Sequence, residues 1–163
     1  DLVGTTVIVK IPFKIGTQDE NSNLSDKSVS LDDYSVEGMR ALVVEDNELN
    51  MEIARCILEE SGMEVTCAAD GKEAVEIFEK SEPDYFGVIY MDIMMPRLNG
   101  LDAARTIREM KRRDARRVPI IAMSANAFAE DIINSRLAGM NVHLAKPLDA
   151  EKNDCCLKTM HGR

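Results

Sequence analysis

The chain has 163 residues, 45% hydrophobic and 30% charged, with a formal net charge of −9 at pH 7. That balance suits a soluble globular protein of one domain with extensions, too short for two full domains. The negative charge argues against nucleic acid as a partner. No apolar run reaches the roughly 20 residues that span a bilayer, so no membrane contact is expected.

The first residue is Asp1, not Met, and nothing near it resembles a signal peptide, so the expectation is a cytoplasmic fragment of a longer protein. Residues 1–16 hold a β-rich run, Gly4 to Ile11, stopped by Pro12. An orphan strand of this kind is expected to be mobile unless it docks. Residues 17–38 are acidic and rich in Ser and Asn, the composition of a linker. Residues 39–163 are expected to form the folded domain.

Five short apolar runs follow: Ala41–Val44, Glu64–Cys67, Gly87–Tyr90, Pro119–Ala122 and Val142–Leu144. Such nearly continuous apolar runs suit parallel strands covered on both faces. Between them, Leu49, Ile53 and Ile57–Leu58 recur at helical spacing, as do Ala74–Val75 with Phe78, and Leu101, Ala104 and Ile107. Gly62 and Gly139 stand where left-handed helix caps are wanted. Strand–helix alternation repeated five times implies an α/β fold, a doubly wound parallel sheet with right-handed crossovers. The run Lys111, Arg112, Arg113, Arg116, Arg117 reads as the solvated end of a helix and its loop. The four cysteines lack zinc-site spacing and read as reduced thiols. Residues 149–163 offer little to bury, so at best a frayed fifth helix is expected there.

In a parallel sheet, ligands bind beyond the carboxyl ends of the strands. Glu45 and Asp46 follow the first strand, Asp92 ends the third, Ser124 the fourth and Lys146 the fifth. Three carboxylates brought together repel by about 1–4 kcal/mol per pair, depending on the dielectric. A hard divalent cation relieves that repulsion, and Mg2+ fits because it takes a few carboxylate oxygens and also coordinates phosphate. With Lys146 it would neutralise a phosphoryl group attacked in line by a carboxylate. Glu45 and Asp46 form the pair that a metal needs. Asp92 stands alone and is the better nucleophile, and Ser124 is suited to hydrogen-bond the arriving group.

The run from Val88 through Asp92 to Gly100, with Met94-Met95-Pro96 inside it, closely resembles the phosphoacceptor segment of response-regulator receiver domains. Val43–Asn47 is similar to their acidic pair, Ile121–Ala127 to their switch-hydroxyl segment, and Leu144–Pro147 to their lysine–proline segment. The resemblance covers residues 40–150. It implies a flavodoxin-like (βα)5 fold with strand order 2-1-3-4-5, an order taken from the family. It implies an acyl phosphate on Asp92 and a Mg2+ site of Glu45, Asp46, Asp92 and the Met94 backbone carbonyl. Lys146 would pair with the phosphoryl group, Ser124 and His143 would act as the switch, and a cis peptide would precede Pro147. The implied role is that of a phosphoacceptor, not an enzyme, within a two-component phosphorelay. Its implied partners are the dimerisation and phosphotransfer domain of a histidine kinase, and a histidine phosphotransfer protein or domain.

The wording around Met94, Ser124 and Gly139 looks most like receivers of hybrid histidine kinases. Residues 4–12 are similar to the last strand of a kinase ATP-binding domain. Three other readings compete. A dehalogenase-type phosphatase needs a proton-transferring Asp where Met94 stands. A flavodoxin-like cofactor carrier needs a phosphate loop where Glu45-Asp46-Asn47-Glu48 would repel phosphate. A degenerate receiver would act only as an interaction module. His143 departs from the family, which favours Tyr or Phe there. An imidazole strands a ring nitrogen unless it is hydrogen-bonded, and its protonation would then oppose an inward, buried position.

Overall fold

The computed structural model describes residues 35–125, 128–149, 153 and 156–158. The N-terminal strand and most of the linker expected from the sequence lie outside these residues. The end of that linker does not stand apart. Val36 packs against the core, and Gly38 N–H donates to the Gly62 carbonyl at 2.8 Å.

In chain order the elements are β1 (Arg40–Val44), α1 (Glu48–Glu60), β2 (Glu64–Ala68), α2 (Gly71–Lys80), β3 (Val88–Asp92), α3 (Gly100–Glu109), β4 (Ile120–Ser124), α4 (Ala129–Leu137) and β5 (Val142–Ala145). All strand pairs are parallel, and the sheet order is β2-β1-β3-β4-β5. This is the expected flavodoxin-like order, and the strands start and stop within two residues of the apolar runs.

The continuous apolar runs have a simple cause. Side chains alternate across a strand, and both faces of this sheet are covered. Leu42, Val44, Ile89, Met91 and Ile120 point to one layer with Phe78 of α2 and Ile107 of α3. Ala41, Val43, Val88, Tyr90 and Ile121 point to the other with Ala54 and Leu58 of α1. Helix starts are capped by Asn47, Asp70 and Asn99, whose side chains accept from backbone N–H groups one turn on. Gly62 and Gly139 have φ of 89° and 86°, the left-handed geometry expected of them.

Three expectations change. Leu49 and Ile53 of α1 share the helical apolar spacing but are 69% and 39% exposed, because Ala54 and Leu58 form the face on the sheet. The C-terminal segment is held more firmly than its composition suggests. Asn153 and residues 156–158 are helical, and Asn153 and Leu157 are both fully buried. Tyr90 of β3 donates its hydroxyl to Asn153 Oδ1 at 2.5 Å, and Leu157 joins the α1-side core.

Within the basic run, Arg112 is not solvated. It donates to the carbonyls of Phe78, Ser81 (3.2 Å) and Glu82 (3.0 Å), closing the C-terminal end of α2, and pairs with Asp114 at 2.7 Å. Lys111, Arg113, Arg116 and Arg117 are exposed, as expected. Cys56, Cys67 and Cys156 are free thiols. Among the described residues, no helix is long and apolar enough to cross a membrane.

Candidate phosphoacceptor site

The carboxyl edge of the sheet gathers the predicted groups because the backbone pairing runs one residue past several strands. Glu45 N–H donates to Ala68 O at 3.1 Å, Ile93 N–H to Met123 O at 3.0 Å, and Lys146 N–H to Ser124 O at 2.7 Å. These bonds fix the side chains at the rim of a rigid sheet, where small displacements are resisted by the core beneath. At Gly100 a side chain is excluded by the fold: a Cβ would sit 2.0 Å from the Asp92 carbonyl oxygen. The start of α3 thus presses directly on the backbone of Asp92.

Lys146 Nζ lies 2.5 Å from Glu45 Oε2 and 2.8 Å from Asp92 Oδ2. Glu45 and Asp92 are both 3% exposed, while Asp46 faces solvent. Glu45, Asp46 and Asp92 each offer an oxygen within 4.8 Å of the others. Asn50 of α1 donates to Glu45 Oε1 at 3.1 Å, and Met94 N–H donates to Asp92 Oδ1 at 3.2 Å.

The charges are balanced unevenly. Burial pushes the Asp92 carboxyl above its ordinary range, and the hydrogen bond and charge of Lys146 offset this only in part. Burial alone would lower Lys146, but the hydrogen bonds and charges of Asp92 and Glu45 hold its ammonium above the ordinary value. Lys146 is therefore charged at neutral pH. One ammonium does not neutralise three carboxylates, so the donor set fits a hard divalent cation such as Mg2+. The Lys146–Pro147 peptide is cis, as the family resemblance implies.

The switch candidates also meet. Ser124 Oγ lies 2.7 Å from His143 Nε2, and His143 Nδ1 lies 3.2 Å from Ser135 Oγ of α4. Both ring nitrogens are thus partnered, and the ring is half-buried.

Sequence reasoning did not pick out Asn50, Ser135, Asp70 or Arg97. Arg97, at φ 65° in the loop after Asp92, forms an ion pair with the buried Asp70 at the start of α2 and so ties down the loop that carries Met94. Asn50 lies three residues past the cap Asn47, a position with a weak sequence signal. Ser135 has none, being a lone hydroxyl inside a helix.

Residues 41–154 match the family model described as response regulator receiver domain. The chain belongs to this family. It is 34% identical over 142 residues to probable histidine kinase 2 of Oryza sativa subsp. indica, covering 80% of this chain but only 13% of that kinase. The receiver therefore corresponds to a small part of such a relative. A crystal structure of the receiver domain of the Pseudomonas aeruginosa sensor histidine kinase PA1611, with magnesium coordinated in its active site cleft, is 39% identical. It covers 77% of this chain and 99% of that one, with a TM-score of 0.68. The Saccharomyces cerevisiae co-crystal of the histidine phosphotransfer protein Ypd1 with the receiver domain of Ssk1 also aligns. It does so at 28% identity and a TM-score of 0.62, covering 72% of this chain and 84% of that one.

Proposed function

We propose that this receiver accepts a phosphoryl group on Asp92 from a phosphohistidine and passes it to a partner histidine, as part of a cytoplasmic hybrid histidine kinase relay. The observation that carries this reading is the Lys146 ammonium seated between Glu45 and Asp92, with Asp46 beside them. An Asp92 carboxylate oxygen attacks phosphorus in line. The P–O bond forms as the P–N bond breaks, and the electron pair returns to the donor imidazole.

Lys146 remains charged throughout and faces the oxygens on which negative charge gathers. Glu45, Asp46, Asp92 and the Met94 carbonyl would hold Mg2+, which when bound neutralises charge on the phosphoryl oxygens. Ser124 Oγ supplies a hydrogen bond to the phosphoryl group once it has arrived, and His143 responds to that movement. The partner carries its histidine on a protein surface, not as a small molecule. Leu49 and Met94, 69% and 77% exposed, with Ile53, make an apolar rim suited to such a surface. The corresponding partners are a kinase dimerisation and phosphotransfer domain and a histidine phosphotransfer protein.

The test is phosphorylation with a small phosphodonor and Mg2+, followed by addition of a histidine phosphotransfer protein. One hydroxylamine-labile phosphoryl group, not formed when EDTA is present from the start and passed to the partner once it is added, is the expected result. A chain that binds the partner but takes no label would be an interaction module, and the proposal would fail.

A further inference from the structure

α4 buries only one of its residues, and that residue is polar. It is Ser135. Phe128, Ile133 and Leu137 face solvent at 65%, 57% and 75% exposure, so the usual apolar stripe does not fix this helix. What Ser135 meets is therefore a large part of how α4 reads the sheet. Its hydroxyl donates to the Ile132 carbonyl at 2.9 Å. A hydroxyl has one hydrogen, so toward His143 Nδ1, 3.2 Å away, Ser135 Oγ acts as acceptor. Nδ1 then carries the proton, and in a neutral imidazole Nε2 is left with the lone pair. Ser124 Oγ lies 2.7 Å from Nε2, within reach to donate to that lone pair.

We propose that His143 is a positioning residue that holds the Ser124 hydroxyl on its Nε2 lone pair, and that Ser135 fixes the tautomer that makes this possible. The switch is then a hydrogen-bond exchange transmitted to α4. A phosphoryl group on Asp92 takes the Ser124 hydroxyl, and Nε2 loses its donor. This last step rests on the phosphoacceptor reading. The tautomer and its dependence on Ser135 do not.

A pH response follows, with a definite sign. Burial lowers the His143 pKa from its ordinary value, and Asp131 on α4 raises it in part. β4 faces the ring with Ala122 and Ser124, neither of which is charged. While Ser124 donates to Nε2, the neutral ring is favoured. Once Ser124 is drawn away that preference is lost, and the pKa rises. Proton binding and capture of Ser124 therefore help each other. Acid strengthens the switch, the opposite of what an unpartnered ring would give.

The test is NMR of the 15N-labelled full chain, reading the two ring nitrogens of His143 across pH, with and without Mg2+ and beryllofluoride as phosphoryl mimic. Without the mimic, the Nδ1–H tautomer is expected, and Ser135→Ala should move the ring toward the Nε2–H form with the rest of the spectrum unchanged. Ser124→Ala should raise the His143 pKa. Beryllofluoride should raise it by about one unit, a tenfold linkage if one ordinary hydrogen bond is exchanged. A dominant Nε2–H tautomer in the wild type, or a tautomer indifferent to Ser135→Ala, overturns the proposal. So does a His143 pKa that stays fixed while shifts around Asp92 show the mimic bound. Failure of the mimic to bind at all would count against the phosphoacceptor reading, and the tautomer would still decide this one.

Discussion

Lys146 stands between two buried carboxylates, 2.5 Å from Glu45 and 2.8 Å from Asp92. Lys146→Ala removes the ammonium and leaves both carboxylates facing each other at 3% exposure. Taking one partner from a buried ion pair costs about 3–5 kcal/mol. The lysine side chain keeps 19% of its surface in water, which screens part of the interaction, so the expected loss is ~3 kcal/mol. With a urea slope of about 2 kcal/mol per M, the unfolding midpoint falls by roughly 1.5 M.

Two conditions separate charge from packing. Burial already raises Asp92, and deleting the ammonium raises it further. A carboxyl whose folded pKa lies above its unfolded value contributes stability below the unfolded pKa. That contribution is lost as pH rises through the folded one. The deficit of the variant is thus largest at neutral pH and shrinks as pH falls toward the carboxylate range. Mg2+ stabilises both chains, and losing the ammonium tightens the variant's site, so at saturating Mg2+ the deficit should narrow by about 1.4 kcal/mol for each tenfold gain in affinity. The assay is urea unfolding followed by circular dichroism, in EDTA and in Mg2+, at two pH values. An equal deficit under all four conditions would mean that the lysine stem packs and its charge does little, and the reasoning would be refuted.

Three further outcomes are expected. Arg112→Ala should destabilise the end of α2. It should also flatten the acid limb of the stability curve, since the hydrogen bond from Arg112 holds Asp114 down at about 2. That linkage contributes about 2 kcal/mol above the ordinary carboxylate pKa and is lost as pH falls through about 2. Leu157→Ala should cost about 2–5 kcal/mol in denaturant unfolding, and a loss under 1 kcal/mol would show that the C-terminal helix adds little to the core. Met94, exposed beside Asp92, cannot position an attacking water. The acyl phosphate should therefore be long-lived, and Met94→Asn should shorten its decay time. An unchanged decay would remove Met94 from that account.

The sheet was legible because β1 from Ala41 onward, β3 and β4 are buried on both faces, so their residues are apolar up to the site end. Placing Asp92 and Ser124 at strand ends then placed the site. The helices were less legible. In α1, Leu49 and Ile53 share the apolar spacing of Leu58 yet face solvent, because two apolar stripes leave the choice of face to the tertiary contacts. Asn153 and Arg112 were misread for a related reason. A polar side chain is buried when a specific partner waits for it, here the Tyr90 hydroxyl and the carbonyls ending α2, and no pattern in the chain announces such partners. Ser135 belongs with them. Its significance depends on a ring across a helix–strand gap that sequence spacing does not reveal.

The central claim is that Asp92 carries the phosphoryl group. The most direct measurement is to phosphorylate the chain with Mg2+ and a small phosphodonor, reduce the acyl phosphate with borohydride, and locate the modified residue by peptide mass spectrometry. Conversion of Asp92 alone is expected, and none in Asp92→Asn. Label on Glu45, Asp46 or Ser124 in the wild type, or label that survives in Asp92→Asn, would contradict it.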